Sequence, residues 1–352
     1  MEPFGAPPGM GDPILSSARQ SISRIAVVGA GIAGSWQALM FATEGHQVIL
    51  YDRDEMALTH ATSHWAGGML APWCERETAE PLITDLGVRS LELWRELQLE
   101  TKFNGTIVVA HPRDRADLNR FARLTSGHEE IDAAALAQLE PALVPKFNGG
   151  LFFRDEGHVE PRLVLSAIHG RIVAAGGAIV FQAECEPAVL ADEFDLVIDC
   201  RGLAARDKFP DLRGVKGEMI VVETPEVHLS RPVRLMHPRW PLYVIPRGDH
   251  RFMLGATTIE SEDEGVSARS VLKLLSGAYA LHPGFGEARV VEVGAGLRPA
   301  FPDNMPRIAV GRNEIAVNGL YRHGFLLAPV LAEMSLAFVQ RGAIDNRLMR
   351  QL

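Results

Sequence analysis

The stretch that decides the fold is Arg24-Ile25-Ala26-Val27-Val28-Gly29-Ala30-Gly31-Ile32-Ala33-Gly34. Residues 25–28 are an unbroken apolar run of the kind that a strand buried on both faces requires, and the run stops at glycine. Residues 35–43 follow, rich in Ala, Leu, Met and Phe and closed by Glu44-Gly45, which predicts a helix. Residues 47–51 predict a second strand with Asp52 at its end, 18 positions beyond Gly34. Strand, GxGxxG turn, helix, strand and acidic residue together form a β-α-β unit with the spacing of a dinucleotide site. Gly29 makes the tight turn, Gly31 lets the backbone approach a pyrophosphate, and Gly34 lets helix and strand pack closely. The helix N-terminus offers its N–H groups to the anion. Asp52 is expected to accept hydrogen bonds from ribose hydroxyls. NAD and FAD both fit this fingerprint, so the choice falls to the rest of the chain.

Outward from that unit, residues 62–72 (Thr-Ser-His-Trp-Ala-Gly-Gly-Met-Leu-Ala-Pro) are too glycine-rich for a strand interior and predict a loop lying against something. Helical periodicity runs over residues 82–99, and residues 105–110 predict a strand. Pro161 opens a helix with Leu163, Ala167, Ile168 and Ile172 on one stripe and Gly176-Gly177 at its stop. Strands follow at 178–182 and 194–199. Short alternating runs at 218–223, 241–246, 251–257 and 289–293 predict an antiparallel sheet. The last section returns to the opening style, with a strand at 315–318 and a helix over about 325–340. The fold class is therefore α/β: a discontinuous Rossmann-like FAD-binding domain with an inserted antiparallel-sheet substrate domain. Residues 24–80, 150–213 and 299–352 are assigned to the first, residues 81–149 and 214–298 to the second, and residues 1–23 to a flexible tail. A second Gly-rich loop, and a fingerprint near the N-terminus whose domain is completed near the C-terminus, favour an extended FAD.

Composition narrows the function. A chain of 352 residues has room for two domains, and 47% apolar with 22% charged residues is ordinary for a globular protein. A net charge of −9 would repel a phosphate backbone, so nucleic acid is not the expected partner. Cys74, Cys185 and Cys200 are odd in number and far apart, which indicates neither a disulfide framework nor a zinc site and fits a reducing cytoplasm. Residues 1–23 carry Pro7, Pro8, Gly9 and Gly11 and lack the pattern of a signal peptide. No run reaches the roughly 20 apolar residues of a membrane span. His64, His158 and His323 have no metal-ligand spacing, so no metal is expected.

Local motifs now carry a likeness. They are Val28-Gly29-Ala30-Gly31-Ile32-Ala33-Gly34, the 63–72 loop, Gly157-His158-Val159-Glu160-Pro161, Val215-Lys216-Gly217-Glu218, Tyr243-Val244-Ile245-Pro246-Arg247, Gly255-Ala256-Thr257, Gly296-Leu297-Arg298-Pro299 and Arg322-His323-Gly324-Phe325-Leu326-Leu327-Ala328-Pro329. In this order they make the chain resemble the FAD-dependent D-amino acid oxidase superfamily, most closely the glycine oxidases associated with thiamine biosynthesis. The resemblance implies oxidative deamination of glycine or another small amino acid, hydride passing from the α-carbon to flavin N5. Dioxygen is then reduced to hydrogen peroxide, and the imine is hydrolysed to an oxo acid and ammonia or used in thiazole synthesis.

The same likeness assigns catalytic roles to Arg298, as a bidentate anchor for the substrate carboxylate, to Tyr243, as a second hydrogen bond to that carboxylate, and to Arg322 at the edge of substrate and flavin. Noncovalent FAD is expected to lie against Gly29, Gly31, Ile32, Ala33, Gly34, Asp52 and Arg53, against Thr62, Ser63, Gly67, Gly68 and Met69, against Glu186 and Gly202, and against Tyr321, His323, Gly324, Phe325 and Leu326. No cysteine follows Cys200, which removes the C-terminal thiol that sarcosine oxidase-like relatives use to tether flavin. Glu186 stands where a valine-type residue commonly contacts adenine, while Pro241 and Thr258 replace a polar residue and a methionine found in some glycine oxidases. Substrate size is therefore open. A D-amino acid or N-methylglycine oxidase or dehydrogenase, and a non-catalytic FAD-binding subunit of a larger complex, are the competing readings. A homo-oligomer is expected.

Overall fold

In the computed structural model, which describes residues 24–144 and 146–352, the fingerprint strand Arg24–Val28 sits inside a seven-stranded sheet. The tail expected at residues 1–23 lies outside the described residues. Arg24–Val28 pairs in parallel with Gln47–Tyr51 on one side and Leu196–Asp199 on the other. Glu314–Asn318 extends the parallel set beyond Leu196–Asp199, and Ala178–Val180 extends it beyond Gln47–Tyr51. Arg307–Val310 then adds antiparallel to Glu314–Asn318, with Met349–Gln351 at the edge.

Helix Ile32–Thr43 packs between helices Gly324–Arg341 and Pro161–Ala174, which is why Ile32, Trp36, Leu39 and Phe41 are all buried. Gly324–Arg341 is long and apolar enough to cross a membrane, but most of it is buried in the core, where its apolar character is used. Pro329 inside it has no N–H for the carbonyl of Phe325. The indole Nε1 of Trp94 donates to that carbonyl at 2.9 Å and makes good the loss.

An eight-stranded sheet forms the second layer, in the order Arg289–Ala300, Arg213–Glu223, Arg251–Gly255, Leu242–Pro246, Val233–Met236, Thr106–Ala110, Gly149–Phe153, Glu129–Asp132. Its pairs are antiparallel except for Val233–Met236 with Thr106–Ala110, which is parallel. One face is covered by helix Ala268–Leu281 and an apolar cluster that includes Leu136 and Phe147. The other carries the cavity described below.

The structure shifts several expected elements. Helix Pro81–Leu97, grouped by sequence with the substrate part, packs on Gly324–Arg341 and buries Ile83, Leu91 and Trp94 in the core of the seven-stranded layer. Gly149–Phe153, grouped mostly with the FAD part, is hydrogen-bonded within the eight-stranded sheet. The strand expected at 289–293 runs on as Arg289–Ala300 through the Gly296-Leu297-Arg298-Pro299 motif, so Arg298 lies within it. On helix Pro161–Ala174 the buried face is Val164, Leu165, Ile168 and Ile172, and Leu163 points to solvent.

Candidate active site

A cavity of about 920 Å³ runs from the C-terminal ends of the parallel strands to the face of the eight-stranded sheet. At its first end the fingerprint turn behaves as its glycines require. Gly29 has φ +103°, and a Cβ there would meet the carbonyl oxygen of Cys200 at 2.5 Å. A Cβ on Gly34 would stand 1.8 Å from the carbonyl oxygen of Gly29, so only glycine allows this helix to approach this turn. Asp52 braces the turn, accepting from the N–H of Ala30 and, at 2.7 Å, from that of Asp54. Ser63 Oγ accepts from the N–H of Ile32 at 3.0 Å, which brings the second Gly-rich segment onto the helix N-terminus. Glu186 is tied to Arg201 at 3.0 Å, and Arg201 is held in turn by Asp199 and Asp207.

The 66–68 loop is fastened by Arg247, which follows strand Leu242–Pro246 of the eight-stranded sheet. Its guanidinium donates to the carbonyls of Val159 at 2.9 Å, Gly67 at 2.9 Å and Ala66 at 3.2 Å, and its Nε lies 2.8 Å from Glu160. Burial lowers its pKa to about 10, still far above neutrality. Gly68, at φ +69°, has no room for a side chain because a Cβ would lie 2.3 Å from the carbonyl of Val159. Thr62 donates to the carbonyl of Leu297 at 2.6 Å, and Trp65 packs on Gly294, so this segment also rests on the long strand that carries Arg298.

At the far end Arg298 and Tyr243 line the same cavity. Arg298 Nη1 donates to the carbonyl of Thr257 at 3.0 Å, and no carboxylate among the described residues lies within ion-pair distance of it. Burial lowers its pKa to about 10, so it remains a cation at neutral pH. Its seat exists because residue 217 is glycine: a Cβ there would lie 2.0 Å from Nη2. Tyr243 is oriented from behind by Arg234, whose Nη1 donates to the phenol oxygen at 3.3 Å and which also pairs with Glu77. With its oxygen already accepting, the phenol keeps its own hydrogen free to donate into the cavity. Met69, Ile245 and Met253 supply an apolar wall.

The structure thus gathers Arg298, Tyr243 and Arg322 with Gly29, Gly31, Ile32, Ala33, Asp52, Arg53, Thr62, Ser63, Gly67, Gly68, Met69, Glu186, Gly202, Tyr321, Gly324 and Phe325 around one space. Three expected positions stand off it. Gly34 serves packing, Leu326 faces Gly87 in the core, and His323 is buried behind Glu75, its pKa pressed down to about 4 by burial. Arg322 lines the cavity but is not a free cation, being held by Glu75 at 2.5 Å and Thr78 at 2.7 Å. Sequence reading assigned no role to Glu75, Arg201, Gly217, Arg234 or Arg247. Gly217 and Arg247 lay in motifs already singled out. Arg234 lies in a four-residue strand that the alternation of apolar residues did not reveal.

The family model for FAD-dependent oxidoreductases matches residues 24–336. The chain belongs to this family. Among relatives, the protein of Rhizobium etli named as the thiamine biosynthesis oxidoreductase ThiO is 50% identical over 88% of this chain and 94% of its own. The glycine oxidase of Geobacillus kaustophilus is 26% identical over 90% and 93%. Its crystal structure superposes with a TM-score of 0.76 at 23% identity, covering 92% of this chain and 96% of that one, and the glycine oxidase structure from Bacillus cereus gives 0.78 at 20%, covering 92% and 99%. These likenesses show the same fold. FAD fits this oxidoreductase on the structure's own terms: a glycine cradle that any Cβ would fill, an acidic residue at the second strand, and one continuous cavity reaching a half-buried cation.

Proposed function

We propose that this FAD-dependent oxidoreductase oxidises glycine or a comparably small amino acid to its imine, with dioxygen as acceptor, in the cytoplasm. The observation that carries this reading is Arg298, a half-buried guanidinium without a carboxylate partner among the described residues, sharing a cavity wall with a phenol whose hydrogen is free. Leaving such a charge uncompensated is costly unless a ligand supplies the anion. The planar fork of Arg298 matches a carboxylate, and Tyr243 adds a donor to the same group. Fixing the carboxylate at two points aims the α-carbon, and positioning is the main demand of hydride transfer. Met69, Ile245 and Met253 exclude water from the reacting end.

Bound FAD would supply the hydride acceptor and a two-electron route to dioxygen, with hydrogen peroxide as the reduced product. Helix Gly324–Arg341 begins at the cavity wall, where its N-terminal dipole favours negative charge. The amine loses a hydride from carbon and a proton from nitrogen, and the imine is hydrolysed or passed to thiazole assembly. The name of the Rhizobium etli relative supports the latter fate. Anaerobic titration with glycine, sarcosine and D-alanine tests the reading. Bleaching of the flavin spectrum, with peroxide on admission of air, is expected. A flavin that stays oxidised with all three refutes it.

A further inference from the structure

The substrate end of the cavity holds two guanidiniums, and the structure treats them differently. Arg298 has no anionic partner, whereas Arg322 is bound to Glu75 at 2.5 Å and to Thr78 Oγ1 at 2.7 Å. Glu75 ends the short helix Pro72–Glu75, lines the cavity, and is only 14% exposed in its side chain. Burial alone would push its carboxyl upward, but Arg322, His323 and Arg234 outweigh it and hold it below the ordinary range. The neighbouring His323 is neutral at physiological pH, with its Nδ1 3.7 Å from the same carboxylate. Behind Tyr243, Arg234 pairs with Glu77, a carboxylate it shares with the exposed Arg120, and neither arginine lines the cavity. Of the two arginines that line the cavity at this end, Arg298 is therefore the one left without a carboxylate partner among the described residues.

We propose that Glu75 determines specificity by neutralising Arg322, so that the cavity accepts an amino compound with one carboxylate and rejects one with two. This rests on Arg298 being the anchor for the substrate carboxylate. Removing the charge of Glu75 while keeping its shape frees Arg322 to meet a second acid group. A charge-assisted pair of this kind discriminates by roughly tenfold to a hundredfold.

The test compares sarcosine with iminodiacetate, which share a secondary amine and differ by a second carboxylate. It uses the FAD-loaded native enzyme and Glu75→Gln, with Glu75→Ser put through the same comparisons if the glutamine variant does not retain FAD. The kcat/KM ratio of iminodiacetate to sarcosine is expected to rise at least tenfold in the variant, through KM, and to fall back when Arg322→Gln is added. An unchanged ratio in a variant that still oxidises sarcosine overturns the proposal, as does a gain that survives the loss of Arg322. A binding arm follows the flavin spectrum on titration with malonate and with acetate, and malonate is expected to gain at least tenfold over acetate in the variant. If the native enzyme oxidises no amine, the proposed function fails, and the malonate to acetate ratio still decides this inference.

Discussion

Gly217→Ala is the smallest change that tests the anchor without touching it. The methyl group would lie 2.0 Å from Nη2 of Arg298, 2.2 Å from Cζ and 2.6 Å from Nη1, where ordinary contact begins near 3.4 Å. The guanidinium must therefore retreat by about 1.4 Å, out of line with the cavity, and a misplacement of this order costs about 100-fold in rate. Residue 217 pairs with Gly296 inside a regular ladder and has no positive φ, so the backbone accepts alanine and the effect is confined to the seat. Steady-state kinetics with glycine are expected to show kcat/KM down about 100-fold, equivalent to about 2.7 kcal/mol of lost transition-state binding, with FAD content unchanged. Acetate, a carboxylate without the reacting amine, should bind correspondingly more weakly by flavin difference spectroscopy. If both quantities stay within about threefold of the parent while the alanine variant is folded and yellow, Arg298 is not the anchor.

Three further outcomes follow from the same structure. Arg298→Met should raise KM steeply and lower turnover while leaving FAD bound, and loss of flavin instead would mean that the residue serves the cofactor. Arg247→Met leaves the carbonyls of Ala66, Gly67 and Val159 without their donor and Glu160 without its partner, so FAD affinity should fall at least tenfold and stability by about 3–5 kcal/mol, measured by flavin fluorescence and thermal melting. Glu156 is buried and its pKa is pushed up to about 7, first by burial, against an ordinary unfolded value of about 4.3. Its native form therefore keeps the proton through that window, and its contribution to stability declines as pH rises across it, by on the order of 3 kcal/mol in all. Glu156→Gln removes the decline, so its melting temperature should gain on the parent's between pH 5 and pH 8, and a constant difference would show that Glu156 does not titrate there.

The nucleotide-binding half was legible because each of its parts is local: an apolar run, glycines at fixed offsets, a helix and an acid. Elements defined by partners were not. Val233–Met236 is four residues long and closed by His237-Pro238, and Gly149–Phe153 opens on two glycines, so neither shows the alternation that marks a longer strand. Helix Pro81–Leu97 was visible as a helix, but its layer is fixed by contacts such as Trp94 with the carbonyl of Phe325, far along the chain. The site divides in the same way. Arg298, Tyr243 and Arg322 could be named from motifs. That Arg322 is neutralised and Arg298 is not depends on where Glu75 lies, and no motif around either arginine announces it.

That asymmetry links the fold to the chemistry. The seven-stranded layer supplies the cradle and the eight-stranded sheet supplies Arg298 and Tyr243, so reacting groups meet only if the two sheets hold their spacing. Arg247, Thr62 and Trp65 fasten the 62–68 segment to the eight-stranded sheet, and Ser63 fastens the same segment to the helix N-terminus of the cradle, so the link lies beside the reacting end. A shift between the layers would then move the substrate anchor relative to the cofactor and at the same time unfasten the 66–68 loop. Cofactor affinity and turnover should consequently be lost together in variants of the clamp, and separately in variants of the anchor, because Gly217 and Arg298 belong to one sheet alone.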